Sequence, residues 1–427
     1  MSIQQIATPE TTDPTGFLPD FATMSSFGAT AGGGVERQAA SQADHATRAW
    51  FKGWLGERGF TVREDAIGNI FGLYELVPGA PYVLMGSHLD SQPLAGRFDG
   101  AYGVLAAAHA AHAVVRASAE GRVTPALNVA VVDWFNEEGS RFAPSMMGSS
   151  VATGKLALAE ALAVTDTAGI TVAEALGERP EPVPGLEVAS YAEIHIEQGR
   201  LLEEAETTIG LVHATWAASK YRISVNGAQA HTGATVMEDR RDALYGASLL
   251  VVAVRELTEE LPAGALHSSV SEMEVLPNSP VTLARQVNMN LDLRSGSEEV
   301  LARANELLAA KFEAIEAKAK VSIERRLTHS WGLVDYPAGG VELARESAAA
   351  LGLSHTPIMT VAGHDSTNMK DVVPTVMLFV PSIQGVSHNE AEDTRDADAV
   401  DGVAMLSDVA ARLVGGELHE GGSYRLA

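Results

Sequence analysis

The sequence predicts an α/β protein with a smaller α+β domain inserted into it. Three observations carry that reading. Short apolar runs, Tyr82–Met85, Leu127–Phe135 and Thr375–Val380, each end in a loop bearing His, Asp or Glu. Open α/β sheets keep their sites at strand C-terminal ends of this kind. From Ile209 to Leu327 the pattern becomes β-β-α-β-β-α-β. After that the first type of pattern resumes, so the second domain is read as an insertion. The boundaries are 1–210 and 329–427 for the larger domain and 211–328 for the insert.

The elements follow in order. Residues 1–34 are largely polar and end in Gly32-Gly33-Gly34; the first dozen are expected to be mobile and the rest to pack over the body. Ala46, Ala49, Trp50, Trp54 and Leu55 recur at helical spacings, with Gly59 as the stop. Phe60–Leu76 reads as two strands around a turn at Asp65–Asn69. Ala101–Ala119 is an alanine-rich helix, and its His109 and His112 read as packing or surface residues. A helix at Lys155–Leu162 and a proline-ended connector at Ile170–Pro184 precede a strand, Tyr191–Gly199. On that strand His195 and Glu197 share a face.

In the insert, two strands flank Trp216, a glycine loop carries His231, and a helix at Asp239–Leu261 stops at Pro262. Strands at Leu266–Leu276 and Val281–Leu293 are joined by Pro277–Pro280. A helix at Ser297–Lys318, with Glu298 and Glu299 at its positive end, leads to the strand Val321–Leu327. The last part has helices at Val341–Ala350 and Ala397–Leu413 around the Thr375–Val380 strand.

Composition narrows the chemistry. At 427 residues the chain is long enough for two domains. A net charge of -25 argues against nucleic acid and against an anionic membrane surface as partners. With no cysteine there is no disulfide or thiolate site, so any metal must be held by His, Asp and Glu. The N-terminus lacks the basic and apolar regions of a signal peptide, and no apolar run reaches the ~18 residues of a membrane span. A cytoplasmic location is the default expectation.

Strand ends supply five candidate ligands, His88, Asp99, Glu138, His195 and His388. That number suits two divalent ions if one carboxylate bridges them, and Asp99 is the natural bridge. Glu137, next to Glu138, is the natural general base and acid. Asp90, two residues past His88, is placed to orient that imidazole. There is no Gly-x-Ser-x-Gly elbow, which weakens covalent readings.

The segments GSHLDS, GRFDGAYGVL, NEEGSRF, HIEQG, AHTGA, GHDS and VPSIQGVSHNEAED occur in this order. Together they resemble the dinuclear zinc amidohydrolases of the aminoacylase-like metallopeptidase group. The nearest branch is the N-carbamoyl-L-amino-acid hydrolases, with beta-ureidopropionase and allantoate amidohydrolase beside them. The resemblance spans about residues 35–415.

It implies a mixed-sheet, metallopeptidase-type catalytic domain interrupted by a lid and dimerisation domain. One ion would take His88, Asp99 and His195. The other would take Asp99, Glu138 and His388, with Glu137 as catalytic base and Asp90 orienting His88. His231 matches the lid histidine that stabilises the oxyanion, often across a dimer. Asn278 and Arg294 match positions that bind the substrate carboxylate, and Gln198 one near the substrate amide. The implied cofactor is two divalent ions, zinc first, with manganese, cobalt or nickel as alternatives. The implied partners are a small ureido acid and a second copy of the chain through the lid.

The activity so implied is hydrolysis of an N-carbamoyl-L-amino acid. Allantoate or beta-ureidopropionate and then di- or aminopeptidase substrates are the alternatives, and a catalytically silent binding protein is the reading from another class. Val236, Arg200 and Ala95 depart from residues common in relatives, which bears on loop shape and substrate identity.

Overall fold

The structure is a computed structural model that describes residues 13, 15–177 and 185–427. The polar first dozen residues and the proline-rich end of the connector lie outside them. The chain forms two compact units. One comprises residues up to His213 with Tyr336–Ile358 and Gly363–Ala427; the other comprises Ala214–Asp335 and Met359–Ala362. Among the described residues, no helix is long and apolar enough to cross a membrane.

The larger unit is built on a mixed sheet. Its strands run in the order Thr61–Glu64, Ile70–Tyr74, Asn128–Asp133, Tyr82–Ser87, Glu187–Ile196, Thr375–Val380 and Ile209–Thr215. The four from Asn128–Asp133 to Thr375–Val380 are mutually parallel, and the outer pairings are antiparallel. Buried on both faces, the parallel strands read as continuous apolar runs.

The helix Ala101–Ala119 lies in the core, and its alanines 106, 107, 108, 110 and 111 are fully buried. Small residues let its backbone approach the sheet. A Cβ on Gly103 would stand 2.3 Å from the carbonyl oxygen of Ile194. The helix Asp396–Val414 packs beside it with Val403, Leu406 and Leu413 fully buried. At ~1.5–3 kcal/mol for each large apolar side chain, this is a main source of stability for the unit.

Local rules account for the elements. The Asp65 turn holds because Asp65 Oδ1 accepts the N–H groups of Ile67, Gly68 and Asn69. The turned-in Asn69 accepts the Phe135 N–H at 2.9 Å, which fixes the exit of the strand leading to Glu137. Several helices were not legible as periodic stretches, among them Phe17–Met24, Met147–Ala152 and, inside the expected connector, Val172–Leu176. The helix expected at Lys155–Leu162 is confined to Leu158–Ala163. His109 is a packing residue, buried against Trp54 and bonded to Asp20 at 3.1 Å.

The smaller unit has an antiparallel sheet in the order Ser322–Trp331, Ala217–Asn226, Gln286–Ser295 and His267–Leu276. Ile223, Val225, Met289, Leu291 and Leu293 form its buried face together with residues of the helices Ala243–Glu256 and Glu298–Ala319. The first helix starts later than its periodicity predicts, because Asp242 caps it through the N–H groups of Leu244 and Tyr245.

Candidate metal centre

The parallel strands deliver the site from their C-terminal ends. Tyr82–Ser87 leads to His88, Asn128–Asp133 leads to Glu137 and Glu138, Glu187–Ile196 carries His195 near its end, and Thr375–Val380 leads to the His388 loop. Asp99 comes from the glycine-bearing loop just before the helix Ala101–Ala119.

These residues converge. His88, Asp99 and His195 form one group and Asp99, Glu138 and His388 a second, with the ligand atoms of each group within 4.8 Å of one another. Asp99 Oδ1 is 3.6 Å from His88 Nε2 and 3.1 Å from His195 Nε2. Its Oδ2 is 3.2 Å from His388 Nε2, which is itself 3.6 Å from Glu138 Oε2. Asp99 thus belongs to both groups with a different oxygen.

Tautomers decide what the first group can hold. His88 Nδ1 lies 2.9 Å from the carbonyl oxygen of Asp90, and His195 Nδ1 lies 2.8 Å from that of Ile196. A carbonyl can only accept, so Nδ1 carries a proton in each ring, and in the neutral form that binds a metal Nε2 is the lone pair. Both Nε2 atoms are turned toward Asp99 Oδ1, and that of His195 also accepts the Gly100 N–H at 3.0 Å; a lone pair beside a carboxylate oxygen suits a cation between them. Nitrogen and oxygen donors of this kind suit zinc and its first-row neighbours.

The surrounding charge is negative and favours any cation, a proton on the rings included. Burial works against the His88 imidazolium, but Glu137, Asp99 and Asp90 outweigh it and hold its pKa well above the usual value. His388 is pushed up to about 9 by the Asp99 and Glu138 carboxylates, against its burial. Asp99, although buried, is held well below the ordinary carboxylate range by bonds to His195, His388 and His88. Burial raises Glu137 well above its ordinary value, with the Asp365 and Glu138 charges adding to it.

Asp90 sits behind this group. Its Oδ1 accepts the Glu137 N–H at 3.1 Å and its Oδ2 the Glu138 N–H at 3.3 Å. It is the carbonyl of Asp90 that meets His88 at short range, since the carboxylate is 3.6 Å from Nδ1. Glu137 Oε2 lies 3.6 Å from His88 Nε2, at the edge of the ligand set. Gly100 is also required. It has a φ of +65°, and a Cβ there would meet the His88 ring at 2.2 Å.

Gln198 does not stand apart from the ligands. Its Nε2 donates to Asp99 Oδ2 at 2.7 Å and to Ser387 Oγ at 3.1 Å. Three residues here had no place in the sequence reading. Gln92 bonds Glu138 Oε2 at 2.9 Å, and Ser387 and Glu392 surround Asp99. The quoted VPSIQGVSHNEAED segment contained the last two, but nothing in its spacing marks them.

The remaining candidates lie in the smaller unit. His231 is exposed, and its Nδ1 accepts the N–H groups of Gly233 and Ala234, so Nε2 carries the proton outward. Asn278 is exposed in the connection after His267–Leu276, with a left-handed φ of 54°. Arg294 donates Nε and Nη2 to Asp292 Oδ2 at 3.1 and 2.7 Å, and Nη1 to the carbonyl of Val361 at 2.8 Å.

Arg294 is not brought together with the other two, whereas His231 pairs with Thr282 in the connection that holds Asn278. Arg294 pairs with Ala218 at the start of Ala217–Asn226, whereas His231 follows the far end of that strand. Eight strand steps at ~3.4 Å place roughly 27 Å between Ala218 and Asn226.

Comparison with known proteins agrees with this geometry. The profile of Peptidase family M20/M25/M40 matches residues 84–412. A Mycolicibacterium smegmatis protein whose name specifies no substrate is 54% identical over 415 residues, covering 95% of this chain and 94% of its own. The N-carbamoyl-L-amino-acid amidohydrolase of Rhizobium meliloti is 32% identical over 388 residues, covering 90% and 92%. The crystal structure of an amidase of the hydantoinase/carbamoylase family from Burkholderia vietnamiensis superposes with a TM-score of 0.85 at 34% identity, covering 95% and 97%. The chain belongs to the M20/M25/M40 peptidase family, as an amidohydrolase of its hydantoinase/carbamoylase branch.

Proposed function

We propose that this protein hydrolyses a linear ureido C–N bond, with an N-carbamoyl-L-amino acid as substrate. The observation that carries the reading is the pair of three-residue ligand groups sharing Asp99, with Glu137 at their edge. His88, Asp99 and His195 would hold one divalent ion and Asp99, Glu138 and His388 the other. When bound, the pair would supply Lewis acidity toward the ureido carbonyl and acidify the attacking water.

The chain's own residues supply the rest. Glu137 takes the proton from the attacking water and returns it to the leaving nitrogen, so the C–N bond breaks without a covalent enzyme intermediate. The remaining carbamate decays, and the products are the amino acid, ammonia and carbon dioxide. Asp90 keeps the Glu137 backbone in place through its accepted N–H. Gln198 serves the substrate amide from beside Asp99.

Residues 211–328 serve as a lid and dimerisation domain in this reading. His231, with its proton on the outward Nε2, is the donor to the developing oxyanion. Arg294 takes the substrate carboxylate. Asp292 bonds one edge of its guanidinium through a single oxygen, which leaves donors on the other edges. Asn278 assists. The distance between Arg294 and His231 along one sheet supports a homodimer in which each copy supplies part of the other's set.

The test is ammonia release from N-carbamoyl-L-amino acids, allantoate and N-carbamoyl-beta-alanine, with chelator-stripped protein and protein resupplied with Zn²⁺, Mn²⁺ or Co²⁺. Metal-dependent release from N-carbamoyl-L-amino acids is the expected result. Release from allantoate or N-carbamoyl-beta-alanine alone would move the substrate within the ureido class. Cleavage of peptides only would overturn the ureido reading. A folded, metal-loaded protein inert toward all of them would be a silent binding protein.

A further inference from the structure

Glu392 is a buried carboxylate, only 3% exposed, that belongs to neither ligand group. It stands beside Asp99, where a second negative charge is costly to bury. What it gains there is a set of three bonds. Its Oε1 accepts the N–H groups of Phe98 at 2.9 Å and Asp99 at 3.0 Å. Its Oε2 accepts the Ser387 hydroxyl at 3.0 Å. Ser387 Oγ is also 3.1 Å from Asp99 Oδ2.

One carboxylate therefore holds two segments that are far apart in sequence. The first carries Asp99, common to both ligand groups. The second carries Ser387 and His388, and His388 completes the second group. The backbone is shaped for this contact. A Cβ on Gly96 would stand 2.1 Å from the Glu392 carboxylate, so only glycine leaves space for it. A turn between Asn389 and Glu392 brings the side chain back toward its own loop, through a 2.9 Å backbone bond.

We propose that Glu392 is a positioning residue for the metal centre. It fixes the bridging carboxylate of Asp99 and the His388 loop at the separation that the second ion requires. The inference rests on the metal-dependent function proposed above. A purely structural brace would change stability when removed but leave the folded protein's affinity for metal unaltered, and that is the distinction to measure.

The experiment titrates chelator-stripped, full-length protein with Zn²⁺ or Mn²⁺ and reads the binding isotherm, with folding monitored by circular dichroism. In Glu392→Ala the affinity of at least one site is expected to fall by about 10- to 100-fold, the usual cost of losing a group that orients ligands. Glu392→Gln keeps an oxygen for the Phe98 and Asp99 N–H groups and is expected to restore most of the affinity.

Wild-type affinity in folded Glu392→Ala overturns the proposal. If Glu392→Ala does not fold, Ser387→Ala decides the matter. Ser387→Ala removes the link and is expected to weaken binding, and wild-type affinity in folded Ser387→Ala overturns the proposal. A wild-type protein that binds neither metal overturns the function proposed above together with this inference. A metal-binding wild type with unaffected variants overturns this inference alone.

Discussion

Asp90 Oδ1 accepts the backbone N–H of Glu137 at 3.1 Å, and the carbonyl of the same Asp90 receives the His88 Nδ1 proton. One residue thus joins the imidazole proposed as a metal ligand to the backbone of the proposed general base. In Asp90→Ala the carbonyl remains, while the Glu137 and Glu138 N–H groups lose their acceptor. Metal affinity is expected to fall by about 10- to 100-fold, the range typical of residues behind a ligand set. A metal titration of the stripped protein checks this, and unchanged affinity would deny Asp90 that role.

Glu137→Gln separates metal binding from chemistry. The amide cannot take the water proton, so kcat is expected to fall by about 10²- to 10⁴-fold. Glu137 is in neither ligand group, so metal content should stay at the wild-type level. The checks are steady-state ammonia release and elemental analysis of the same preparation. A variant with full activity would remove Glu137 from the mechanism.

Metal should also stabilise the fold. Asp90, Asp99, Glu137 and Glu392 are all buried around one site, and three of them have pKa values raised by burial. Divalent ions relieve that repulsion and bind only the folded arrangement. At a free concentration 100-fold above Kd the gain is about 2.7 kcal/mol per site. A rise of about 5 °C or more in Tm is expected on adding Zn²⁺ or Mn²⁺ to stripped protein. Scanning calorimetry would show it, and an unshifted transition would count against a folded, preformed site.

The separation of Arg294 and His231 predicts complementation between copies. On the proposed homodimer, neither Arg294→Ala nor His231→Ala alone should be active at a wild-type level. If the two residues of a working site come from different copies, a mixed dimer regains one intact site of two. Random mixing makes half the dimers mixed, so about a quarter of wild-type activity should return. Measured recovery after co-refolding or co-expression tests this, and no recovery would place both residues in one copy's own site.

The candidate ligands that the fold brings together were legible because they follow apolar runs and glycine turns, both of which are local signals. Tyr82–Met85 announces a buried strand, and His88 has to follow where that strand ends. Asp99 stood out as the candidate bridge in a glycine-punctuated loop, just before Gly100. Glu392 was not, since its value lies in bonds to Phe98, Asp99 and Ser387 that no spacing records. The helix Met147–Ala152 was also hidden, because six residues do not establish a helical period.

The sequence by itself determined the α/β class, the insertion, the absence of thiolate chemistry and the five ligand candidates. These follow from short-range rules, namely side-chain periodicity, turn preference and the donor chemistry of each residue type. Only the tertiary structure decided that His88 and His195 turn their Nε2 atoms toward Asp99. It alone showed that Asp90 holds Glu137 by its backbone and that Arg294 and His231 stand at opposite ends of one strand. Those facts depend on which carbonyl or carboxylate meets which donor across hundreds of residues, and on strand register. Hydrogen-bond partners and register are fixed by packing the whole chain, and composition and spacing do not contain them.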